Sequence, residues 1–328
     1  MLIVTGGAGF IGSNIVAALE ERGETEIVVV DRLRDGIKWK NIAKRNLRDI
    51  VHPDDLPAFL EKHSGDVEAI FHMGAISATT ETDADKILNN NLKLTTWLWE
   101  WCSRHSARLI YASSAATYGD GKQGFDDSFD ADDLAKLAPL NAYGWSKHAT
   151  DRRFRRILDQ NGFRPKQWAG LKFFNVYGPN EYHKGGMRSV VSQMFDKLSA
   201  GETATLFKSH HPDYEDGGQL RDFVWVGDVV NIIMWLYDNP DVSDLFNIGT
   251  GKARSFKDLA LAVFSAMGKE PVINYIPTPE AIRDKYQYFT EANMAKLRKA
   301  GYAAEMTSLE EGVRLYIQDY LATEDPFR

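Results

Sequence analysis

Met1-Leu2-Ile3-Val4-Thr5-Gly6-Gly7-Ala8-Gly9-Phe10-Ile11-Gly12 is the stretch around which the rest of the chain is organised. Leu2 to Val4 form a short apolar run that reads as a buried strand, and a helix-like stretch, Ile11 to Glu21, follows at once. Gly7, Gly9 and Gly12 fit the spacing G-x-G-x-x-G, while Gly6, Gly9 and Gly12 fit G-x-x-G-x-x-G. Each glycine serves a physical purpose, whether a tight turn, close approach of backbone to a pyrophosphate, or contact between helix and strand. The diphosphate would rest on the first N–H groups and positive dipole end of the helix, at Phe10, Ile11 and Gly12. A second apolar run, Ile27 to Val30, ends in Asp31, about 20 residues past the fingerprint, where a ribose-binding acid is expected. A lone glycine fingerprint is a weak signal. Inside this β-α-β unit it predicts a dinucleotide site.

The bulk composition narrows the classes. The chain has 328 residues, 44% apolar and 26% charged, which is ordinary globular usage. Its net charge of -7 supplies no basic field for nucleic acid or an anionic membrane, so any phosphate site has to be local. The single cysteine, Cys102, excludes an internal disulfide framework and a cysteine-based zinc site. No apolar run approaches the roughly 20 residues of a membrane span. The sequence opens directly in a strand without a charged leader, and the expectation is a cytoplasmic, soluble protein.

After Asp31 comes a loop with three cations, Arg32, Arg34 and Lys38. Asp31 favours a free 2′-hydroxyl, whereas Arg32 and Lys38 favour a 2′-phosphate. The balance favours NADP, with NAD as the alternative. Asn41 to Ser64 reads as irregular with a helix from about Pro53. Glu68 to His72 reads as a buried strand followed by Met73-Gly74-Ala75-Ile76-Ser77, small residues against which a cofactor can lie. His72 reads as packed at the strand end rather than catalytic. Asn89-Asn90-Asn91 opens or interrupts a helix in which Leu94, Leu98 and Trp101 recur at helical spacing, and the Trp97, Trp99 and Trp101 cluster reads as core.

Arg108 to Ala112 is the next strand, ending in Ser113-Ser114-Ala115-Ala116-Thr117-Tyr118-Gly119. Hydroxyls at the carboxyl end of a parallel strand face the ligand crevice. Tyr143-Gly144-Trp145-Ser146-Lys147 then opens a helix. Positions i and i+4 share a helical face, so Tyr143 and Lys147 point the same way. An ammonium beside a phenol favours the phenolate and yields an acid–base group usable near neutral pH. Trp168 to Phe174 is a further strand, ending in Asn175-Val176-Tyr177-Gly178-Pro179. Asn180 to Met187 follows as a Gly-rich loop carrying His183 and Lys184. His210, His211 and Asp213 lack a distant third ligand, so no metal is expected. Asp228 is placed to cap a helix from Val229 to Tyr237.

In this order the motifs resemble the extended short-chain dehydrogenase/reductases that act on nucleotide sugars, over essentially the whole chain. The resemblance implies a serine–tyrosine–lysine set at Ser114, Tyr143 and Lys147. Cofactor contacts follow at Gly6, Gly9, Phe10, Ile11, Gly12, Asp31, Arg32, Lys38, Met73, Gly74, Ala75, Ser77, Asn90, Lys147 and Val176. The dehydratase branch carries Thr-Asp-Glu where this chain has Ser114-Ala115-Ala116, which speaks against dehydration. His183-Lys184-Gly185 after Asn-Val-Tyr-Gly-Pro resembles the epimerase branch that takes an ADP-heptose-type sugar nucleotide, and implies a second catalytic base at Lys184. Substrate contacts are implied at Ser114, Asn175, Gly186, Gln193, Phe207, Lys208, Arg221 and Tyr286. Three departures bear on the sugar: Gly186 and Gln193 stand where that branch has serine and histidine, and the loop from Ser209 to Leu220 is longer. A UDP-sugar 4-epimerase, or a dinucleotide sensor without catalysis, remain as alternatives.

The fold class expected is α/β: a Rossmann-like doubly wound parallel sheet with a smaller mixed α/β substrate lobe. Residues 1–175, joined by 222–250, would form the dinucleotide-binding domain, and residues 176–221 and 251–328 the substrate lobe. The resemblance further implies a homo-oligomer, with a pentamer among the family's assemblies.

Overall fold

The first apolar run forms β1 (Leu2–Thr5), and its four residues are all buried. The structure is a computed structural model and describes residues 1–283 and 287–328. From β1 the chain runs through α1 (Phe10–Glu21), β2 (Ile27–Val30), β3 (Asp49–Val51), α2 (Leu56–Lys62) and β4 (Ala69–His72). It continues through α3 (Ala84–Ile87), α4 (Leu94–His105), β5 (Arg108–Ser114), α5 (Ala131–Lys136), α6 (Ala142–Asp159) and β6 (Trp168–Phe173). β7 (Asn175–Tyr177), α7 (Val190–Ser199), β8 (Ala204–Phe207), β9 (Leu220–Arg221), β10 (Phe223–Trp225), α8 (Val226–Asp238) and β11 (Asp244–Ile248) follow.

Seven of these strands form one parallel sheet in the order β11-β6-β5-β4-β1-β2-β3. Strands in such a sheet are covered on both faces, which is why they read as unbroken apolar runs rather than alternating ones. One face carries Ile15, Val16 and Leu19 of α1 against Val229, Ile232, Ile233 and Leu236 of α8. The other carries Leu98, Trp99 and Trp101 of α4 with Phe154 of α6, and Trp99 stacks on Phe154 with ring centroids 4.0 Å apart. The tryptophan cluster therefore packs in the core, although Trp97 is only partly buried. β1 and β4 are neighbours from which the chain proceeds in opposite directions, so the crevice beyond their carboxyl ends is the switch point of the sheet.

A smaller group of elements stands over that crevice. β12 (Arg254–Ser255) pairs with β9, β13 (Ile273–Ile276) with β8, and β10 with β7. Under them α7, α9 (Phe256–Ala266) and a late helix (Leu309–Tyr316) bury a separate cluster around Val191, Leu206, Val263 and Val313. Two local expectations need correcting, at β3 and at Asp228. β3 is a three-residue edge strand with only Val51 buried, too short and too polar to stand out in sequence. Of the two readings for Asn89-Asn90-Asn91, interruption holds: Leu88–Lys93 is a π-helical turn between α3 and α4. Asp228 lies inside α8, where Trp225 is the N-cap; its carboxylate instead accepts from the backbone N–H and hydroxyl of Thr307, 2.8 and 2.9 Å away.

Candidate active site

The turn after β1 is drawn tightly around the start of α1. Gly6 has φ +65°, and a Cβ there would stand 2.7 Å from the amide nitrogen of Gly74. A Cβ on Gly12 would lie 2.1 Å from the carbonyl oxygen of Gly6. No side chain caps α1, so its first N–H groups and dipole are left for an anion. Across the sheet edge Asp31 is buried and fully engaged. Its Oδ2 accepts from Ala8 N–H at 2.9 Å, while its Oδ1 accepts from Arg32 N–H at 2.7 Å and from the Lys38 ammonium at 2.5 Å. A cradle shaped by missing Cβ atoms, an open helix N-terminus and an acid at the second strand together fit a dinucleotide.

These groups line a cleft of about 510 Å³. Gly6, Gly9, Phe10, Ile11, Gly12, Asp31, Lys38, Met73, Gly74, Ala75, Ser77, Lys147 and Val176 all border it, as do Ser114, Tyr143, Asn175 and Lys184. A second hollow of about 740 Å³ shares Asp31, Lys38, His183 and Lys184 with the first, and Arg32 and Asn90 border it instead. Arg32 is turned away from Asp31: its guanidinium donates to Asp54 at 2.6 Å and reaches Asn90 Oδ1 at 3.5 Å.

β5 delivers Ser114, which caps the following 3₁₀ turn by accepting from Ala116 N–H at 3.1 Å. α6 delivers Tyr143 and Lys147 one turn apart, with Asn141 as its N-cap. The coupling inside this pair differs from the sequence expectation. Lys147 is buried and donates to the carbonyl of Ala112 at 2.6 Å. Burial brings its ammonium down to about 8, against the opposing charge of Asp151. Burial also pushes the Tyr143 phenol up, and the group that offsets this is Ser114, by a hydrogen bond, rather than Lys147. Lys184 comes from the loop after β7 and lies 5.1 Å from the centre of the Phe10 ring. Burial lowers its proton affinity, and Glu181 raises it.

The remaining substrate candidates divide. Gln193 and Phe207 border a smaller hollow of about 280 Å³ with Met194, Leu206, Gln219 and Phe256, adjoining the cleft through Val190 and Phe256. Gly186 and Lys208 are exposed and border none of these three hollows. Arg221 donates to the carbonyl of Leu220 at 2.7 Å and lies over the Phe256 ring, likewise off their walls. Tyr286 lies outside the described residues. Among the described residues no group of three His, Cys, Asp or Glu side chains could hold a metal.

Several further residues support the site, among them His72, packed at its strand end as its sequence position suggests. His72 is buried between the hydroxyls of Thr5 and Thr95, at 2.6 and 2.8 Å, tying β1 and β4 to α4. Burial and the charge of Lys147 lower it to about 3, so it is neutral. Buried Asn91 clamps the loop after β4 through both backbone groups of Ile76 and reaches the Ser146 hydroxyl at 3.0 Å. Asp151, one turn beyond Lys147, accepts from the Ser113 hydroxyl at 2.8 Å and pairs with buried Lys172 at 3.5 Å. Asp222, the residue after Arg221, gathers the backbone N–H groups of Thr250, Gly251 and Ala292. Asn91 and Asp222 carry no sequence signal for these roles, whereas Asp151 has its i+4 spacing from Lys147.

The profile of the NAD dependent epimerase/dehydratase family matches residues 2–249. The chain belongs to that family. Within the epimerase/dehydratase family it is similar to an ADP-L-glycero-D-manno-heptose-6-epimerase of Nitratidesulfovibrio vulgaris, 52% identical with both chains covered completely. The protein of that name from Fusobacterium nucleatum is 49% identical, again with full coverage of both. Among solved structures, the Helicobacter pylori ADP-L-glycero-D-manno-heptose-6-epimerase matches with a TM-score of 0.78 at 27% identity, covering 97% of this chain and 95% of its own. MoeE5 in complex with UDP-glucose and NAD matches with a TM-score of 0.75 at 27% identity, covering 97% of each chain. The family depends on a nicotinamide dinucleotide, and the glycine cradle, the uncapped α1 and Asp31 fit one. No helix among the described residues is long and apolar enough to cross a membrane.

Proposed function

We propose that the chain is an isomerase that converts ADP-D-glycero-β-D-manno-heptose to ADP-L-glycero-β-D-manno-heptose by inverting carbon 6. The observation that carries the reading is that Tyr143 of α6 and Lys184 of a separate loop border the same cleft. Relatives named for this reaction, identical at about half of all positions over the full chain, support it. A bound nicotinamide dinucleotide supplies the hydride acceptor and donor that inversion needs, because a carbinol without an acidic neighbour is not inverted by proton transfer alone. The chain's own groups do the rest. Tyr143 exchanges the proton of the reacting hydroxyl, Ser114 hydrogen-bonds that hydroxyl, and Lys147 holds the nicotinamide ribose. Lys184 is the proton donor and acceptor for the second orientation of the sugar. The hollow around Gln193, Phe207 and Phe256 takes the adenine.

We further infer NADP as the cofactor. Lys38 already neutralises Asp31, and Arg32, Arg34 and Lys38 gather at the ribose end, where a 2′-phosphate finds cations rather than a bare acid. The same reading carries a homo-oligomer, pentameric by resemblance, for which sedimentation velocity is the check. The activity test is incubation of the purified protein with ADP-D-glycero-β-D-manno-heptose without added reductant, followed by proton NMR. The reading expects drift to a mixture of two epimers. An unchanged sugar in protein that retains its dinucleotide overturns it and turns attention to UDP-sugars.

A further inference from the structure

The loop that presents Lys184 is closed at its neck by one carboxylate. Glu181 has no exposed surface. It accepts from the backbone N–H of Ser189 at 2.6 Å, from the Ser189 hydroxyl at 2.5 Å and from the Tyr316 hydroxyl at 3.0 Å. Ser189 in turn is the N-cap of α7. Residues 182–188 are therefore pinched between Glu181 and Ser189, with the backbone N–H of Lys184 donating to the carbonyl of Glu181 at 3.0 Å. All three partners of the carboxylate are neutral, and no cation lies within ion-pair distance of it among the described residues. Burial pushes the Glu181 carboxyl up, while the hydrogen bonds from Ser189 and Tyr316 and the charge of Lys184 favour the ionised form, whose field is felt strongly at short range in a poorly solvated site.

The group placed to feel that field is Lys184. Its ammonium makes no ion pair among the described residues and rests against the Phe10 ring face. The charges around it are few. Its own loop supplies Glu181, Tyr182, His183 and Arg188, of which Arg188 is spent on Asp196 at 2.6 Å. The β2 side supplies Asp31 and Lys38, which are paired with each other. α6 supplies Tyr143 and Lys147, and the late helix supplies Tyr316, which is bonded to Glu181 itself. α1 presents only an aromatic ring. Resting on the reading of Lys184 as a proton-transfer group, we propose that Glu181 is its positioning residue: the carboxyl group closes the loop that carries the ammonium, and its ionised form favours the charged lysine. Burial and the Glu181 carboxylate pull the proton affinity of Lys184 in opposite directions, in keeping with that arrangement.

The test does not depend on turnover. Lysines of the full-length, dinucleotide-loaded protein are reductively ¹³C-methylated, and the Lys184 signal, identified by its absence in Lys184→Arg, is titrated by NMR. Glu181→Gln keeps the shape and removes the charge, and is expected to lower the Lys184 midpoint by about one pH unit, a tenfold change in proton affinity. Glu181→Asp keeps the charge and is expected to hold the midpoint near the wild-type value, which also covers the case in which the glutamine variant does not fold. A midpoint unmoved in Glu181→Gln, or moved as far in Glu181→Asp, overturns the proposal. Because the readout is a titration, inactivity towards the heptose leaves it intact and strikes only the assignment of substrate.

Discussion

At the scale of single residues, the proposed chemistry rests on a phenol, Tyr143, whose environment is unfavourable to its anion. Burial raises Tyr143 and Ser114 works against that, so proton exchange relies on the hydroxyl partner as well as on the phenol. Replacing Tyr143 with Phe removes the proton and leaves the wall of the cleft in place. The expected result is a loss of about 10²-fold or more in kcat with the dinucleotide retained. Near-normal turnover in the folded, loaded variant contradicts the role. Lys147 adds a pH dependence. Its ammonium is lowered to about 8, so it loses its charge as pH rises through that value. A pH–rate profile is expected to fall above about pH 8, whereas a plateau reaching pH 10 contradicts it. Tyr143 and Lys147 were legible because four-residue spacing on a helix fixes a common face. The direction of their electrostatics was not, because it depends on Ser114 and Ala112, brought in by another strand.

Elements place these residues, and two of them carry testable consequences. The contact between the glycine turn and α1 leaves no room for a methyl group at Gly12. Gly12→Ala is expected to weaken dinucleotide binding at least about tenfold, measured by calorimetry, because the backbone must withdraw from the pyrophosphate. Unchanged affinity contradicts the cradle. His72 joins β1, β4 and α4 in its neutral form. Its folded value of about 3 lies below the ordinary 6.5, so the unfolded chain takes the proton first as pH falls. The stability it contributes is complete above about pH 6.5 and is lost progressively towards pH 3. His72→Gln is expected to flatten the fall in Tm between pH 6.5 and 4, and a parallel fall in both proteins contradicts this. The strands were legible as apolar runs ending in small or hydroxylated residues. β3 was not, since an edge strand of three residues with two exposed positions has no apolar signature.

Over the whole molecule, the segment nearest the C-terminus reaches back to the loop that carries Lys184. Tyr182 donates to the carbonyl of Pro326 at 2.8 Å, Arg328 N–H donates to the Asn180 side chain at 3.0 Å, and Lys44 pairs with Asp325 at 2.7 Å. Removing residues 323–328 is expected to lower kcat/KM by about tenfold, since small displacements of a reacting group cost that much or more. Unchanged kinetics contradicts this coupling. Such long-range closure carries no local pattern, and neither does the hollow that Gln193 shares with Phe207. The order of glycine turn, acid-ended strand, serine-ended strand and Tyr-x-x-x-Lys did carry one, because the first three sit at the carboxyl ends of strands of one sheet and the fourth on the helix α6 that borders the same cleft. In the proposed reaction one protein inverts carbon 6 of the sugar by oxidising and reducing it in place. The most direct measurement uses ADP-D-glycero-β-D-manno-heptose deuterated at carbon 6, converted in ordinary water. Deuterium retained at carbon 6 of the inverted product is the predicted result, and its replacement by solvent hydrogen would contradict hydride transfer within the site.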